Sequence, residues 1–449
     1  MNTAKWVKIV GYITFAVLFF LCFFYYEART TNLDNAFQTF LLICEGKITV
    51  MAYRWPATVV RFLPYLLSQL HADLDLVMMS FSFSYVLMHF IAFLLLVHYY
   101  KRPRLVLMQL FLLLLACSDG FFWCNSELIQ GLSVALLFKA SIDRLERKKN
   151  VLSGLIAFIY AVLLNFYHPI LLFPVVFLLI YDQLYSWKIN RVATWALFSY
   201  LLLFIIKSSF FASWYDKMKS NAFAANLENY WYRFWEAPML QTLPEELFYK
   251  FHFIVLGLLT VSIVMLFRKK WLSLLFILAY CLGFFFILLI GEPDASYSFY
   301  NEINYYPFLL FVFYPLLFES KHLANQYIRV VIIALLLFSI GRICFTAGKY
   351  YNRMEWIYEK IATTSCNKTI IKEEQIPQAF RLMNWGLPHE SLLISRKLPI
   401  NKSLHTDFPQ YKVEDQYASD IFITQFKALE AEFVETYYFD FPDGEYCYE

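Results

Sequence analysis

The chain has 449 residues, of which 60% are hydrophobic, 20% aromatic and 16% charged, with a formal net charge of +3 and a mean hydropathy of +0.51. Soluble domains sit near 45–50% apolar and about 25% charged, so a soluble enzyme, a disordered chain and a disulfide-stapled secreted domain are excluded. No basic stripe or tail is present, which removes nucleic acid as a partner. A polytopic α-helical membrane protein is what remains.

Apolar runs fall at 6–26, 76–98, 104–117, 127–142, 151–167, 169–186, 192–212, 251–267, 271–291, 306–318 and 326–345. They predict about eleven transmembrane helices, several shorter than the ~20 residues a bilayer asks for. The first run has no small-residue cleavage site and reads as a retained helix rather than a removable signal. Lys and Arg orient the set. Lys5, Lys8, Lys101, Arg102, Arg104, Lys139, Arg144, Arg147, Lys148, Lys149, Lys188, Arg191, Arg268, Lys269, Lys270, Lys321 and Arg329 all fall at one face if the N-terminus is inside. An odd number of spans then puts the C-terminus outside. The frequent Phe, Ile, Lys and Tyr fit an AT-rich bacterial genome, so the expected location is a bacterial inner membrane with the tail in the periplasm.

Two domains follow. Residues 1–345 form the transmembrane domain, with a long first outward loop at 27–75 and another outward loop at 213–250. Residues 346–449 carry a net charge of −5 against +8 for the first 345 and read as a small extracytoplasmic α/β domain. Helical pattern is expected around Trp356–Ala362, and short strands at Ser391–Ser395 and Asp420–Thr424. Cys366 and Cys447 bracket most of this domain, either as a disulfide or as two free thiols. No Cys or His spacing suits zinc.

Ionisable groups are costly in lipid, so their placement is the functional clue. The first outward loop is far longer than a connector needs and holds Asp34, Asn35, Gln38, Arg54 and Arg61. Its stretch Ala57–Leu70 suits a helix lying along the membrane surface. Further outward groups stand where spans begin or end: Glu127 before the fourth, His168 in a His-Pro break, and Glu292, Asp294, Glu302 and Tyr305 before or in the tenth. Each has a plain structural alternative. Asp34 suits a helix N-cap and Glu127 a helix dipole; Arg54 and Arg61 suit lipid headgroups; His168 suits a turn. Lys207, Lys217, Lys219 and Arg233 read as solvated charges or phosphate contacts. His89 and Gln109 read as helix–helix contacts, and Arg342 as a snorkelling cation.

This layout resembles the GT-C superfamily, integral membrane glycosyltransferases that use polyprenyl-phosphate-linked sugars. The resemblance is carried by the inside N-terminus, the long first loop with Asp34 soon after the first span, the His168-Pro169 break, the outward turn Tyr300–Tyr306 and the outward C-terminal domain. The tail segment Asn384–Leu393 is similar to relatives of Bacteroidota type. The resemblance implies inverting transfer of a sugar from a polyprenyl-phosphate donor to an extracytoplasmic glycan, lipid or protein acceptor, with membrane lipids as the surroundings. It implies Asp34 as base and Arg54, then His168, as phosphate contacts. Glu127 and Glu302 would orient sugar hydroxyls, with Asn35, Gln38 and Tyr305 also binding substrate. Many members carry an adjacent acidic pair where this chain has Asp34-Asn35, and the Trp-Trp-Asp motif of the oligosaccharyltransferase branch is missing. That argues against a metal held by an acidic pair, and no cofactor is expected. Rival readings are a flippase or transporter for a lipid-linked sugar, a polysaccharide polymerase or ligase, and a non-catalytic membrane assembly protein. Scarce mid-span charge and the lack of a repeat weigh against alternating access.

Overall fold

In a computed structural model, the structure describes residues 3–44, 46–115, 117–293, 298–319, 325–380, 386–406, 437–438 and 446–448. The expected strand at Asp420–Thr424 and the residues Asp294, Asn384 and Trp385 lie outside these.

Among the described residues six helices are long and apolar enough to cross a membrane: α1 (Thr3–Phe24), α5 (Leu74–Leu94, prolonged by a π-helical turn to Tyr100), α9 (Leu172–Ser186, entered through a 3-10 turn from Pro169), α10 (Arg191–Phe210), α14 (Trp271–Gly291) and α16 (Gln326–Thr363). A seventh arises if α12 (Met239–Tyr249) and α13 (His252–Phe267), bent by 79° at their junction, count as one broken span. The other apolar runs do form helices. However, α6 (Pro103–Leu114) and α8 (Val151–Tyr167) are short, and α7 (Glu127–Lys148) and α15 (Ser298–Glu319) carry charge at their ends. Burial explains the composition of α6 and α7. Every residue of α6 from Leu105 to Leu114, and of α7 from Leu128 to Ile142, is buried. These helices face protein on all sides, whereas α10 turns Trp195, Phe198, Leu202 and Ile205 outward, as a lipid-facing helix must.

Four tight hairpins join α5 to α6, α7 to α8, α9 to α10 and α13 to α14 at one end of the bundle. Their turns place Lys101, Lys149, Trp187 and Lys269 at positive φ, the left-handed conformation that closes a helix C-terminus. Three of the four are lysines, whose charge complements the dipole there. Asn150 and Asn190 then cap the returning helices by accepting from Ser153 N and from Val192 N and Ala193 N. At this end a cation sits inside the bundle: Lys139 pairs with Asp143 and, at 2.7 Å, with Asp182. Arg102 reaches Asp143 at 2.9 Å, and Tyr314 donates to Asp182 at 2.8 Å. A buried lysine is tolerable only with such company.

The opposite end carries the elaborations. After α1 come α2 (Tyr26–Thr30) and α3 (Leu33–Cys44), then a 3-10 stretch (Trp55–Arg61) continuing into α4 (Phe62–Gln69). Along this last pair Trp55, Val59, Phe62, Leu66 and Leu70 are exposed, while Pro56, Val60, Arg61, Pro64 and Ser68 are buried. That is the stripe expected of an interfacial helix. A second outlying helix, α11 (Trp214–Tyr230), starts with a Ser213/Asp216 capping box.

At 38 residues, α16 is about 57 Å long, and it runs without a break through the expected domain boundary. Beyond it lie β1 (Lys368–Ile371), α17 (Leu387–Ser395), β2 (Ser403–Thr406) and β3 (Tyr446–Tyr448), the strands forming a parallel sheet in the order β2-β1-β3. The register pairs Lys368 with Ser403 and with Tyr446. Ser391–Ser395, expected as a strand, is instead the second half of α17. The helix opens at Leu387-Pro388, and proline in the first turn is preorganised for a helix start. Cys366 and Cys447 are joined in a disulfide across 81 residues, tying the segment just before β1 to β3.

Candidate functional site

Asp34 sits in the first turn of α3, not at its N-cap. Asn32 holds the cap position, its carbonyl accepting from Asn35 N and Ala36 N. The Asp34 side chain is partly buried, and among the described residues it has no hydrogen-bond partner. Two charges bear on it: Glu127 at the start of α7 and Arg54 in the bend between a 3-10 turn at Met51–Tyr53 and the one at Trp55–Arg61. Burial and the Glu127 carboxylate push the Asp34 pKa up to about 7, with Arg54 opposing them. Two carboxylates with one arginine is an arrangement that separates acid strengths.

Arg54 lies 3.5 Å from Glu127 and rests over the Tyr215 ring of α11, 5.5 Å from its centroid. Lys219, one turn further along α11, lies 5.9 Å from the same ring and pairs with Glu292 at 2.6 Å. Lys207, near the end of α10, is buried and bonded to Asp216 at 2.7 Å. His168 caps the 3-10 turn before α9, its Nδ1 accepting from Ile170 N at 3.2 Å. That bond puts the ring proton on Nε2. Burial, then Arg54, Lys207 and Lys219, hold the His168 pKa well below 6.5. His168 is therefore a neutral donor and not the cation expected for a phosphate. The positive charge near it is that of Arg54, Lys207 and Lys219. The wall behind them is aromatic, with Trp55 against Phe166 at 5.7 Å and Phe166 against Phe211 at 6.1 Å. Asp34, Arg54, Glu127 and His168, 134 residues apart at the extremes, thus meet in one place.

The remaining candidates are placed elsewhere. Asn35 is fully buried and gives its amide hydrogens to Arg29 O at 2.7 Å and Phe122 O at 2.6 Å, which fastens α3 to the loop before α7. Gln38 accepts from Arg61, which also donates to Thr49 O at 2.6 Å. Arg61 is buried rather than set among lipid headgroups, and burial draws its pKa down to about 10 against the opposing pull of Glu127. Glu302 lies within a backbone nest: Ser118 N and Gly120 N donate to Oε1 at 2.8 and 2.6 Å, Asp119 N and Ser118 Oγ to Oε2 at 3.1 Å each. All its acceptor capacity is spent on holding residues 118–120. A Cβ on Gly120 would collide with Tyr306 Oη, so only glycine lets that loop close on α15. Tyr305 packs edge-on to Phe251 at 4.7 Å, at one end of an apolar groove of about 380 Å³ between α13, α14 and α15.

Several organising residues escaped sequence reading. Arg29 is wholly buried and donates to Phe121 O at 2.8 Å and to Ser82 O at 2.9 Å, with its guanidinium 4.3 Å from the Phe121 ring centroid. Asp119 is bonded to Tyr350 Oη at 2.9 Å and Lys349 at 3.2 Å, with Lys250 at 3.7 Å. Burial opposes its charge, but the two lysines and the tyrosine outweigh that and hold its pKa below the usual range. The only hints were a charge directly behind a span and an Asp-Gly turn. Arg342, expected to snorkel, donates to Leu115 O at 3.3 Å and Lys250 O at 3.0 Å, closing the ends of α6 and α12. His89 and Gln109 are interhelical contacts as expected, with His89 Nδ1 at 2.9 Å from Ser133 Oγ and Gln109 donating to His89 O at 2.8 Å.

Among the described residues no group of three or more His, Cys, Asp or Glu is placed to hold a metal ion. No family, no curated protein and no solved structure matches this chain.

Proposed function

We propose that the protein is a membrane glycosyltransferase that moves a sugar from a polyprenyl-phosphate donor to an extracytoplasmic glycan, lipid or protein acceptor with inversion. We place it in a bacterial inner membrane with its N-terminus cytoplasmic, the apolar runs making eleven crossings and the C-terminal domain in the periplasm. The reading rests on one observation: an Asp34 carboxylate without a hydrogen-bond partner among the described residues, titrating near neutrality, lies by Arg54 and Glu127, and the same Arg54, with Lys207 and Lys219, bears on His168.

The acceptor hydroxyl attacks the anomeric carbon and its proton passes to Asp34. The bond from that carbon to the phosphate oxygen breaks, and the electron pair leaves with the lipid phosphate. A base with a pKa near 7 is matched to a reaction run at neutral pH. The departing phosphate gains charge as the bond breaks, and fixed cations aimed there lower the barrier. Arg54 is preorganised for this by Glu127 and the Tyr215 face; Lys219 stands beside it. His168 donates a neutral hydrogen bond through Nε2. Glu127 acts through Arg54 and on the Asp34 pKa.

The test is lipid mass spectrometry of gently purified protein alongside a transfer assay with a radiolabelled polyprenyl-phosphate sugar. A polyprenyl phosphate or its sugar conjugate should co-purify with wild type and be lost with Arg54→Ala. Asp34→Asn should lower transfer by about 10²–10⁴-fold while keeping the lipid. Only bulk phospholipid in all samples, with no transfer, would overturn the reading.

A further inference from the structure

We infer that Glu390 of the C-terminal domain is a positioning residue for Asp34, so that the tail domain acts as a clamp on the candidate site. The inference deepens the transferase reading and rests on it for the role of Asp34.

Leu33, the residue before Asp34, has φ +40°, a conformation that a leucine holds only when its surroundings impose it. Its amide donates to Glu390 Oε1 at 2.8 Å. The other oxygen of Glu390 is bonded to Arg353 Nε at 2.8 Å, and Arg353 also donates to Phe380 O. Glu390 is 1% exposed and Arg353 2%, so the carboxylate aimed at α3 has no freedom to turn away.

The backbone approach is equally close. A Cβ on Gly386 would lie 2.8 Å from Leu33 Cα, so α17 meets the start of α3 where only glycine fits. One turn on, the His389 ring packs edge-on to Phe37 at 5.2 Å and Phe40 at 4.9 Å. The ends of the first loop are gripped as well: Arg396 pairs with Glu27 at 2.6 Å and Asp75 at 2.8 Å, and Lys397 with Glu27 at 2.9 Å. The loop is thus held at both ends and at the residue next to Asp34. This gives the segment Gly386-Leu387-Pro388-His389-Glu390 a purpose that its sequence did not disclose.

The charges that bear on Asp34 are Glu127 from α7 and Arg54 from the bend after α3. Among the described residues, none comes from the C-terminal domain. Glu390 therefore works by fixing where the first turn of α3 sits, which sets how dry the Asp34 carboxyl is and how close it lies to Glu127.

The test needs no substrate. Full-length wild type, Glu390→Gln, Glu390→Ala and Gly386→Ala are treated with a water-soluble carbodiimide and glycinamide from pH 5 to 9. Labelling of Asp34 is then read by peptide mass spectrometry, because only the protonated carboxyl reacts. Wild type should show a midpoint near 7. Glu390→Gln keeps an oxygen for the Leu33 amide and should stay within a few tenths of that midpoint. Glu390→Ala and Gly386→Ala should each move it down by a unit or more and speed hydrogen exchange at residues 33–37. If a variant does not fold, the other still decides, since one removes the bond and the other wedges the contact. A midpoint unchanged in folded Glu390→Ala and Gly386→Ala, or moved equally in Glu390→Gln, overturns the inference. Wild-type protein that transfers no sugar yet shows these changes would sink the transferase reading and leave the clamp intact.

Discussion

Replacing Asp34 by asparagine should stabilise the protein, and increasingly so as pH rises. An aspartate titrates at 3.8 in the unfolded chain and at about 7 here. Its folded pKa is raised, so the stability tied to the protonated form is complete below 3.8 and is lost as pH climbs through about 7. A tenfold difference in proton affinity between the folded and unfolded chain is worth about 1.4 kcal/mol. The gap of roughly three pH units sets a ceiling of about 4 kcal/mol, and the residual solvent contact of Asp34 brings the real figure below it. From pH 5 upward about two pH units of the window remain, or at most about 3 kcal/mol. Asparagine stays neutral throughout and escapes this loss. Thermal unfolding of detergent-solubilised wild type and Asp34→Asn at pH 5 and pH 8.5 provides the measurement. The advantage of Asp34→Asn should grow by several degrees between the two pH values and level off above pH 8. An advantage independent of pH, or a variant less stable at pH 8.5, would refute the claim that Asp34 is held in an environment hostile to its charge. A stabilised but inactive variant is the usual mark of a site that trades stability for reactivity.

Three further outcomes are expected. Histidine NMR should find the His168 imidazole neutral at pH 7. Because burial leads among the causes, Arg54→Ala should raise its pKa without carrying it above 6.5; a wild-type ring titrating at or above 6.5 would contradict the packing around it. Glu302→Ala strands four donors in a buried nest and should cost about 3 kcal/mol or more in thermal unfolding, whereas a loss of a degree or less would make Glu302 a candidate substrate contact again. Breaking the Cys366–Cys447 bridge, which spans 81 residues, should cost about 4.5 kcal/mol on chain-entropy grounds. The loss should appear as faster hydrogen exchange in β1 and β3 with α6 and α7 unchanged, and a uniform change across the chain would mean that the bridge does not act locally.

Composition alone determined that this is a helical membrane protein, because no soluble core could absorb so many apolar residues. Hydropathy located most of the helices to within a few residues, since apolar period and length are local properties, but α7, α15 and α16 run well past their apolar stretches. It could not say which helices meet lipid. Both α6 and α14 read as spans, yet α6 is enclosed by protein; enclosure is a relation between helices and leaves no trace in one helix's own pattern. The first loop stood out by its length and its charges, which singled out Asp34 and Arg54. Glu127 and His168 were visible as polar groups at helix ends. Sequence could not tell them from Glu302, which sits in an equally suggestive place, because the difference lies in backbone amides contributed by residues 118–120, more than 180 positions away. The same limit hid Arg29 and Asp119, whose partners come from other helices. It also hid the bond from Leu33 to Glu390, which closes a loop of 357 residues. Local chemistry marked where charge is costly. Only the tertiary structure decided which of those charges are already satisfied and that the Asp34 carboxylate, set between Glu127 and Arg54, is left without a hydrogen-bond partner among the described residues.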